Sequence, residues 1–333
     1  MAGGAAMSRY ARQEVLVEVG PEGQARLGRA HALVVGAGGL GVPVLQYLAG
    51  AGVGRITLVD PDVVSVSNLH RQPLYAMADA RRPKAVVAAE RLAALNPECE
   101  VVPVAAPLDP ANAAGLLAGV DVALDCADSF AAAYTLSDSC HAAGVPLISA
   151  SALGLAGYAG GFCGGAPSLR AVFPDLPERA ATCASAGVLG PVVGVMGALQ
   201  AQMALAVLLG LAPSPLGQIV SFDAGRWRFG GFRFDAASEP AEGWAFLAPG
   251  DIAEADFTVD LRGVAEAPVP ATPWARRLAV EDFGPGGPTP EPGQRAVLCC
   301  RSGLRSWRAA HRLSETWEGE IALVALGDME DDG

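Results

Sequence analysis

The sequence predicts an α/β fold: a mostly parallel sheet flanked by helices, followed by a second, smaller α/β unit. Three observations carry this. Short apolar runs of strand character alternate with helical segments, the pattern of a parallel sheet covered on both faces. A glycine-rich turn follows the first of those runs. After a change of composition near residue 235, the alternation resumes on a smaller scale.

The elements follow in order. Residues 9–28 read as a helical lead-in, and 30–35 (AHALVV) as a strand running into Gly36-Ala37-Gly38-Gly39-Leu40-Gly41. A helix through 44–49 and a strand at 55–60 (RITLVD) complete a βαβ unit. A helix is expected at 83–95, with Pro83 at its permissive start and Asn96-Pro97 as its stop. Further strands fall at 100–104, 120–126 (VDVALDC) and 145–150 (VPLISA), with weaker signals at 157–163, 170–173 and 218–222. These define a first domain over 1–234. Residues 235–250 (DAASEPAEGWAFLAPG) lack periodicity and read as a linker. The second unit, 251–333, has strands at 257–261, 295–299 and 321–326, a helix at 306–313 and a Pro/Gly-rich stretch at 267–294.

With 333 residues, 51% of them hydrophobic, the chain can bury two cores. A net charge of −12 argues against a nucleic-acid footprint or an anionic membrane surface. It leaves room for a phosphate site, which needs only local positive charge. Seven cysteines without regular spacing, and no leader-like start, point to reduced thiols and a cytoplasmic setting. Residues 188–211 carry no charge and are long enough to span a membrane. Pro191, four glycines, Gln200, Gln202 and the lack of a basic flank favour a core or subunit-interface helix instead. Of the 23 basic residues only Lys84 is a lysine, which marks it as a place for a compact ammonium.

Gly36-x-Gly38-x-x-Gly41 follows a strand and opens a helix, and Asp60 ends the next strand. In that setting the glycines admit a phosphate to the backbone, the helix N-terminus attracts it, and the acid accepts from a ribose hydroxyl. Alone, this Rossmann-like fingerprint favours NAD or FAD. The next segment, Asp60-Pro61-Asp62-Val63-Val64-Ser65-Val66-Ser67-Asn68-Leu69-His70-Arg71-Gln72, reverses the preference. With Lys84 it brings cations to the nucleotide. Hydride transfer has little use for them, whereas cleavage between α- and β-phosphates must stabilise pyrophosphate.

These residues resemble the ThiF/MoeB/HesA group of ubiquitin-activating-enzyme-like proteins. The resemblance rests on G-A-G-G-L-G, D-P-D-x-V-x-x-S-N-L-x-R-Q, P-K and D-C-A-D in order. Arg9-Tyr10-Ala11-Arg12-Gln13 and Thr182-Cys183-Ala184-Ser185-Ala186-Gly187-Val188 extend it over roughly 8–230. It implies ATP-dependent adenylation of the C-terminal glycine carboxylate of a small β-grasp sulfur-carrier protein. It also implies that Gly36, Gly38, Gly39 and Gly41 cradle the nucleotide and that Asp60 holds the ribose. Ser67, Asn68, Leu69 and His70 would line the site with Ser129, and Asn68, Arg71 and Lys84 would meet the phosphates. Asp128 would bind Mg²⁺. Arg12 would reach the ATP of a neighbouring subunit, making a homodimer, and Cys183 would receive an acyl group or sulfur, or else be a small buried residue. Relatives often carry zinc on two CxxC pairs. Here the positions fall on Ser168, Ala171 and a cysteine-free stretch near 230–240, so no zinc is expected.

Cys299-Cys300-Arg301-Ser302-Gly303-Leu304-Arg305 runs from a strand through a glycine loop into a helix, a nest that would stabilise a thiolate or persulfide at Cys300. With Asp260-x-Arg262 and Glu266 it resembles a shortened rhodanese (sulfurtransferase) domain over roughly 251–328, lacking that family's H-x-x-G-A motif. Such a fusion implies sulfur transfer to a thiocarboxylate, with a cysteine desulfurase as candidate donor. Molybdopterin, thiamine, thioamino-acid and tRNA-thiolation pathways would all suit it. Two alternatives stand beside this: an NAD-dependent oxidoreductase, and a non-catalytic adaptor for a β-grasp partner.

Overall fold

The computed structural model describes residues 9–176, 187–241 and 243–327. One sheet is built from β1 (His31–Val35), β2 (Arg55–Val59), β3 (Glu100–Val104), β4 (Val122–Asp125), β5 (Pro146–Leu153), β6 (Ala156–Cys163), β7 (Gln218–Asp223) and β8 (Arg228–Arg233). Their spatial order is β3-β2-β1-β4-β5-β6-β7-β8. The first five run parallel, with Ala32 opposite both Ile56 and Val122, and the remainder is antiparallel. Between β1 and β4 the winding reverses, which opens a crevice at the carboxyl ends of the strands.

Helices α1 (Ala11–Glu14), α2 (Gly20–Leu27), α3 (Gly41–Ala51), α4 (Lys84–Leu95), α5 (Pro110–Leu116), α6 (Phe130–Ala143), α7 (Leu169–Val172) and α8 (Gly190–Leu209) surround this sheet. The uncharged run is therefore α8, a core helix. Val192, Met196, Ala201 and Ala204 are buried, and the helix packs on α3, β5 and β6. Gly197 lets it approach α3, since a Cβ there would lie 2.4 Å from Pro43 Cγ.

A second sheet contains β9 (Ala245–Phe246), β10 (Phe257–Asp260), β11 (Arg276–Arg277), β12 (Ala296–Cys300) and β13 (Ile321–Ala325), in the order β11-β10-β12-β13-β9 and wholly parallel. Helix α9 (Leu304–Ser314) packs on β12 and β13. The two units share apolar contacts: one buried cluster joins Ala113, Ala131 and Tyr134 of α5 and α6 to Val259, Leu298 and Trp307. Trp307 meets Tyr134 at 5.9 Å and Trp244 at 5.1 Å between ring centres.

Three expectations need correction. Residues 170–173, expected as a strand, belong to helix α7, because Ser168 caps it by accepting from Ala171 N and Arg170 pairs with Asp138. Residues 228–233 form a strand that the glycine pair Gly230-Gly231 obscured. The expected linker contributes β9, whose Phe246 is buried and whose Ala245 and Phe246 pair with Ala322 and Leu323. Its composition is mostly Ala, Glu, Pro and Gly without periodicity, but the large apolar residues Trp244, Phe246 and Leu247 are concentrated in one place.

Candidate active site

The crevice is shaped first by steric demand. Gly36 has φ +100°, and a Cβ there would sit 2.5 Å from the carbonyl oxygen of Cys126. At Gly41 a Cβ would fall 1.9 Å from the Gly36 oxygen, so no larger residue fits the turn into α3. Gly38 has Gln72 Nε2 3.6 Å from its Cβ position, while at Gly39 a Cβ would meet Val193 Cγ1 of α8 at 2.7 Å and the aliphatic stem of Arg71 at 3.6 Å.

Asp60 is buried just past β2. Its carboxylate accepts from Ala37 N at 2.6 Å and from Asp62 N at 2.8 Å, tying the glycine turn to the second strand. Burial raises its carboxyl above the usual range, and the charge of Lys84 opposes that rise. Lys84 opens α4 with a side chain only 5% exposed, and its Nζ lies 2.6 Å from Asp62 Oδ2. Asp62 is thus more than a turn residue, because it holds the lysine.

The intervening loop is closed on itself. Val64 N donates to Arg82 O and Arg81 N to Val64 O. Buried Asp79 accepts from Ala76 N at 2.9 Å, Arg91 at 2.9 Å and Arg82 at 3.2 Å; these hydrogen bonds hold its carboxyl below the usual range. Along the loop, Ser67 is exposed and shares a 2.9 Å hydrogen bond with Ser65. Asn68 and Leu69 are half-buried. Exposed His70 accepts from Arg71 Nη1 at 2.8 Å.

Asp128 follows β4, exposed, with no hydrogen-bond or ion-pair partner among the described residues. A lone carboxylate just past the carboxyl end of β4 suits Mg²⁺, a hard cation that takes one or two carboxylates and completes its shell with phosphate and water. Ser129 caps α6, its Oγ accepting from Ala132 N at 3.5 Å. Behind them lies Asp125, fully buried, bonded to Ser149 Oγ at 2.8 Å and pushed up by burial to about 6.

Arg12 does not join this site within its own chain. Its helix packs at the far end of α3, where Gln13 donates to Ala51 O at 2.8 Å and the Tyr10 ring covers Gly52. Cys183 lies outside the described residues. Two crevice residues escaped the sequence reading. Tyr75 donates to Ala37 O at 2.8 Å, and Gln72 is buried beside Gly38 with its Oε1 unpartnered. Gln72 ends the quoted motif, so its signal was present. Ser168, where a first thiol pair might have stood, donates from N and Oγ to Glu239 at 2.7 and 2.5 Å.

In the second unit Cys300 Sγ accepts from Gly303 N at 3.2 Å and Ser306 N at 3.4 Å, the expected nest. Arg305 pairs with Glu266 and donates to Leu261 O, and Arg262 pairs with Asp260 at 2.9 Å. Cys300 is fully buried. Gly303, at φ +90°, is overlain by the Phe246 ring at 2.7 Å from its Cβ position, with Ala131 of α6 at 3.5 Å. Neighbouring Cys299 is pushed up to about 12 by burial.

Comparison with known proteins places this geometry. Residues 10–242 match the ThiF family. The chain is 50% identical over 224 residues to the adenylyltransferase and sulfurtransferase MOCS3 of Sus scrofa, covering 66% of this chain and 49% of that one. It is 44% identical over 226 residues to the sulfur carrier protein adenylyltransferase of Thermus thermophilus, covering 66% and 83%. With the SAMP-activating enzyme E1 of Haloferax volcanii it shares 41% over 220 residues, covering 66% and 82%. The chain spans about half the length of the MOCS3 proteins it matches. Among solved structures, Escherichia coli MccB has a similar fold, with TM-score 0.61 and 22% identity over 71% of this chain and 73% of that one. By the family match and these identities, the chain belongs to the ThiF family.

Proposed function

We propose that this chain uses ATP to adenylate the C-terminal glycine carboxylate of a ubiquitin-like sulfur-carrier protein in the cytoplasm. The observation that carries the reading is the setting of its single lysine. Lys84 is buried at the mouth of the glycine turn and paired with Asp62, and Arg71 lies over Gly39. Such cations serve a triphosphate being broken and have no part in hydride transfer. The names of the relatives, two of them adenylyltransferases, one of these of a sulfur carrier protein, and the third an activating enzyme, support the same reading.

In this mechanism the Gly36–Gly41 turn and the α3 N-terminus take the phosphates, and Asp60 accepts from the ribose. The carrier's carboxylate attacks the α-phosphorus, a P–O bond forms, and the bond to pyrophosphate breaks. Asn68, Arg71 and Lys84 balance the charge that collects on the leaving group. When Mg²⁺ is bound, Asp128 would hold it and it would neutralise phosphate charge. A carboxylate is already ionised at neutral pH, so positioning and electrostatics suffice without a general base. Arg12 stands at the opposite end of an 11-residue helix, roughly 16 Å long. It can serve only another copy's site, which is why a homodimer is part of the proposal.

Residues 1–234 form the adenylating domain, and the second sheet with its helix, from β9 (Ala245–Phe246) onward, a sulfur-handling domain. There a Cys300 persulfide, loaded by a desulfurase, attacks the acyl-adenylate. A C–S bond forms, AMP leaves, and an acyl disulfide results. Attack of the Cys183 thiolate on Cys300 Sγ then releases the thiocarboxylate and leaves a Cys183–Cys300 disulfide for an external dithiol to reduce. The complete burial of Cys300 favours a second reading of this unit, as a docking module without sulfur chemistry.

ATP–pyrophosphate exchange dependent on a Gly-Gly-ending carrier tests the first half. Exchange with a cognate carrier is expected; none with any candidate would leave the adaptor reading ahead. Mass spectrometry of the carrier after incubation with a persulfide donor decides the second half.

A further inference from the structure

Gln200 sits in the middle of α8 with no solvent exposure, whereas the helix's other glutamine, Gln202, is exposed. A buried amide is costly unless its hydrogen bonds are made. Here all are made, and to one place. Nε2 donates to Asp125 O at 2.7 Å and to Ile148 O at 2.9 Å, while Oε1 accepts from Cys126 Sγ at 3.4 Å. The amide therefore bridges the carboxyl end of β4 to Ile148, the third residue of β5, and grips Cys126, the residue after β4.

On the opposite face, Ser149 Oγ donates to Asp125 Oδ2 at 2.8 Å, and Ala127 N donates to Asp125 Oδ1 at 3.2 Å. The segment from 125 to 127 is thus held from both sides of the sheet. Asp128 leaves this clamped segment with a carboxylate that has no partner of its own among the described residues.

We propose that Gln200 is a positioning residue: it fixes the end of β4 so that Asp128 presents its carboxylate to the divalent cation of bound ATP. The inference deepens the adenylation reading and rests on it. Hydrogen-bond partners behind a metal-binding group typically change metal affinity or activity by about 10–100-fold when removed.

The test is calorimetric ATP binding by the full chain at a series of Mg²⁺ concentrations, for wild type, Gln200→Met and Asp128→Asn. In Gln200→Met the Mg²⁺ concentration for half-maximal effect should rise about 10–100-fold, as in Asp128→Asn, with magnesium-free ATP binding unchanged. A merely structural role would weaken binding equally with and without magnesium, and that result overturns the proposal. So does a folded Gln200→Met with wild-type magnesium dependence. Should Gln200→Met fail to fold, Gln200→Glu keeps the shape but turns an acceptor toward two carbonyl oxygens, and the same shift is expected. If neither variant folds while Asp128→Asn does, Gln200 is a packing determinant and the assignment falls. Wild-type protein that binds ATP with magnesium but exchanges no pyrophosphate would refute the adenylation reading and leave this comparison intact.

Discussion

Replacing Lys84 with alanine separates the electrostatic reading from a structural one. The ammonium is buried, and its one ion pair is with Asp62, whose side chain is 64% exposed. Breaking a pair with one solvated partner costs under about 1 kcal/mol of stability, so the variant should fold. Loss of a charge aimed at a developing anion in a water-poor crevice is another matter, worth about 3–4 kcal/mol in the transition state, or roughly 10²–10³ in rate. A second effect follows from Asp60, whose carboxyl is raised by burial and lowered by Lys84. Without the ammonium that carboxyl climbs further, so more of it is protonated at a given pH, and the acid limb of the exchange–pH profile moves to higher pH. Carrier-dependent exchange of labelled pyrophosphate, measured from acid to neutral pH beside a thermal melt, reads both effects. Normal exchange and an unshifted acid limb in a folded Lys84→Ala protein would remove Lys84 from the site.

Cys300→Ala should leave pyrophosphate exchange unchanged and abolish thiocarboxylate formation; loss of exchange would show that the two units do not act separately. Phe246→Ala should uncover the Cys300 loop, because the ring lies on Gly303. Peptide-level mass spectrometry should then find Cys300 alkylated by iodoacetamide at least about tenfold faster, as expected when local opening no longer limits access, and an unchanged rate would mean that other contacts cover it. Asp125 rises from 3.8 in the unfolded chain to about 6 in the fold, so its contribution is present below pH 3.8 and lost as pH rises through 6. The melting temperature of Asp125→Asn relative to wild type should therefore increase between those limits, and a flat difference would refute the burial argument.

Much of the first sheet was legible because its signals are local. A strand, a glycine turn and a helix start lie within a dozen positions, and the steric requirement at Gly41 concerns its near neighbour Gly36, whereas that at Gly36 is set by the distant Cys126. That Arg71 lies beside Gly39, and Lys84 close enough to lower the Asp60 carboxyl, was readable for the same reason. Where composition was averaged, reading failed: Phe246 was lost in a stretch rich in Ala, Glu, Pro and Gly, and Phe229 and Phe232 beside two glycines. The four residues at 170–173 are too short for periodicity to separate strand from helix, and the Ser168 cap decided it.

The sequence by itself determined the βαβ nucleotide turn, the ordering of strands and helices, and the chemical character of the crevice. These depend on backbone conformation and on charges a short chain distance apart. Only the tertiary structure decided that Gln200 grips residues 52 to 75 positions away, that Asp62 holds Lys84, and that Phe246 covers the Cys300 loop. Such contacts are chosen by packing between elements distant in the chain, where a buried polar group must find a partner or an aromatic ring a cavity, and no local pattern specifies which.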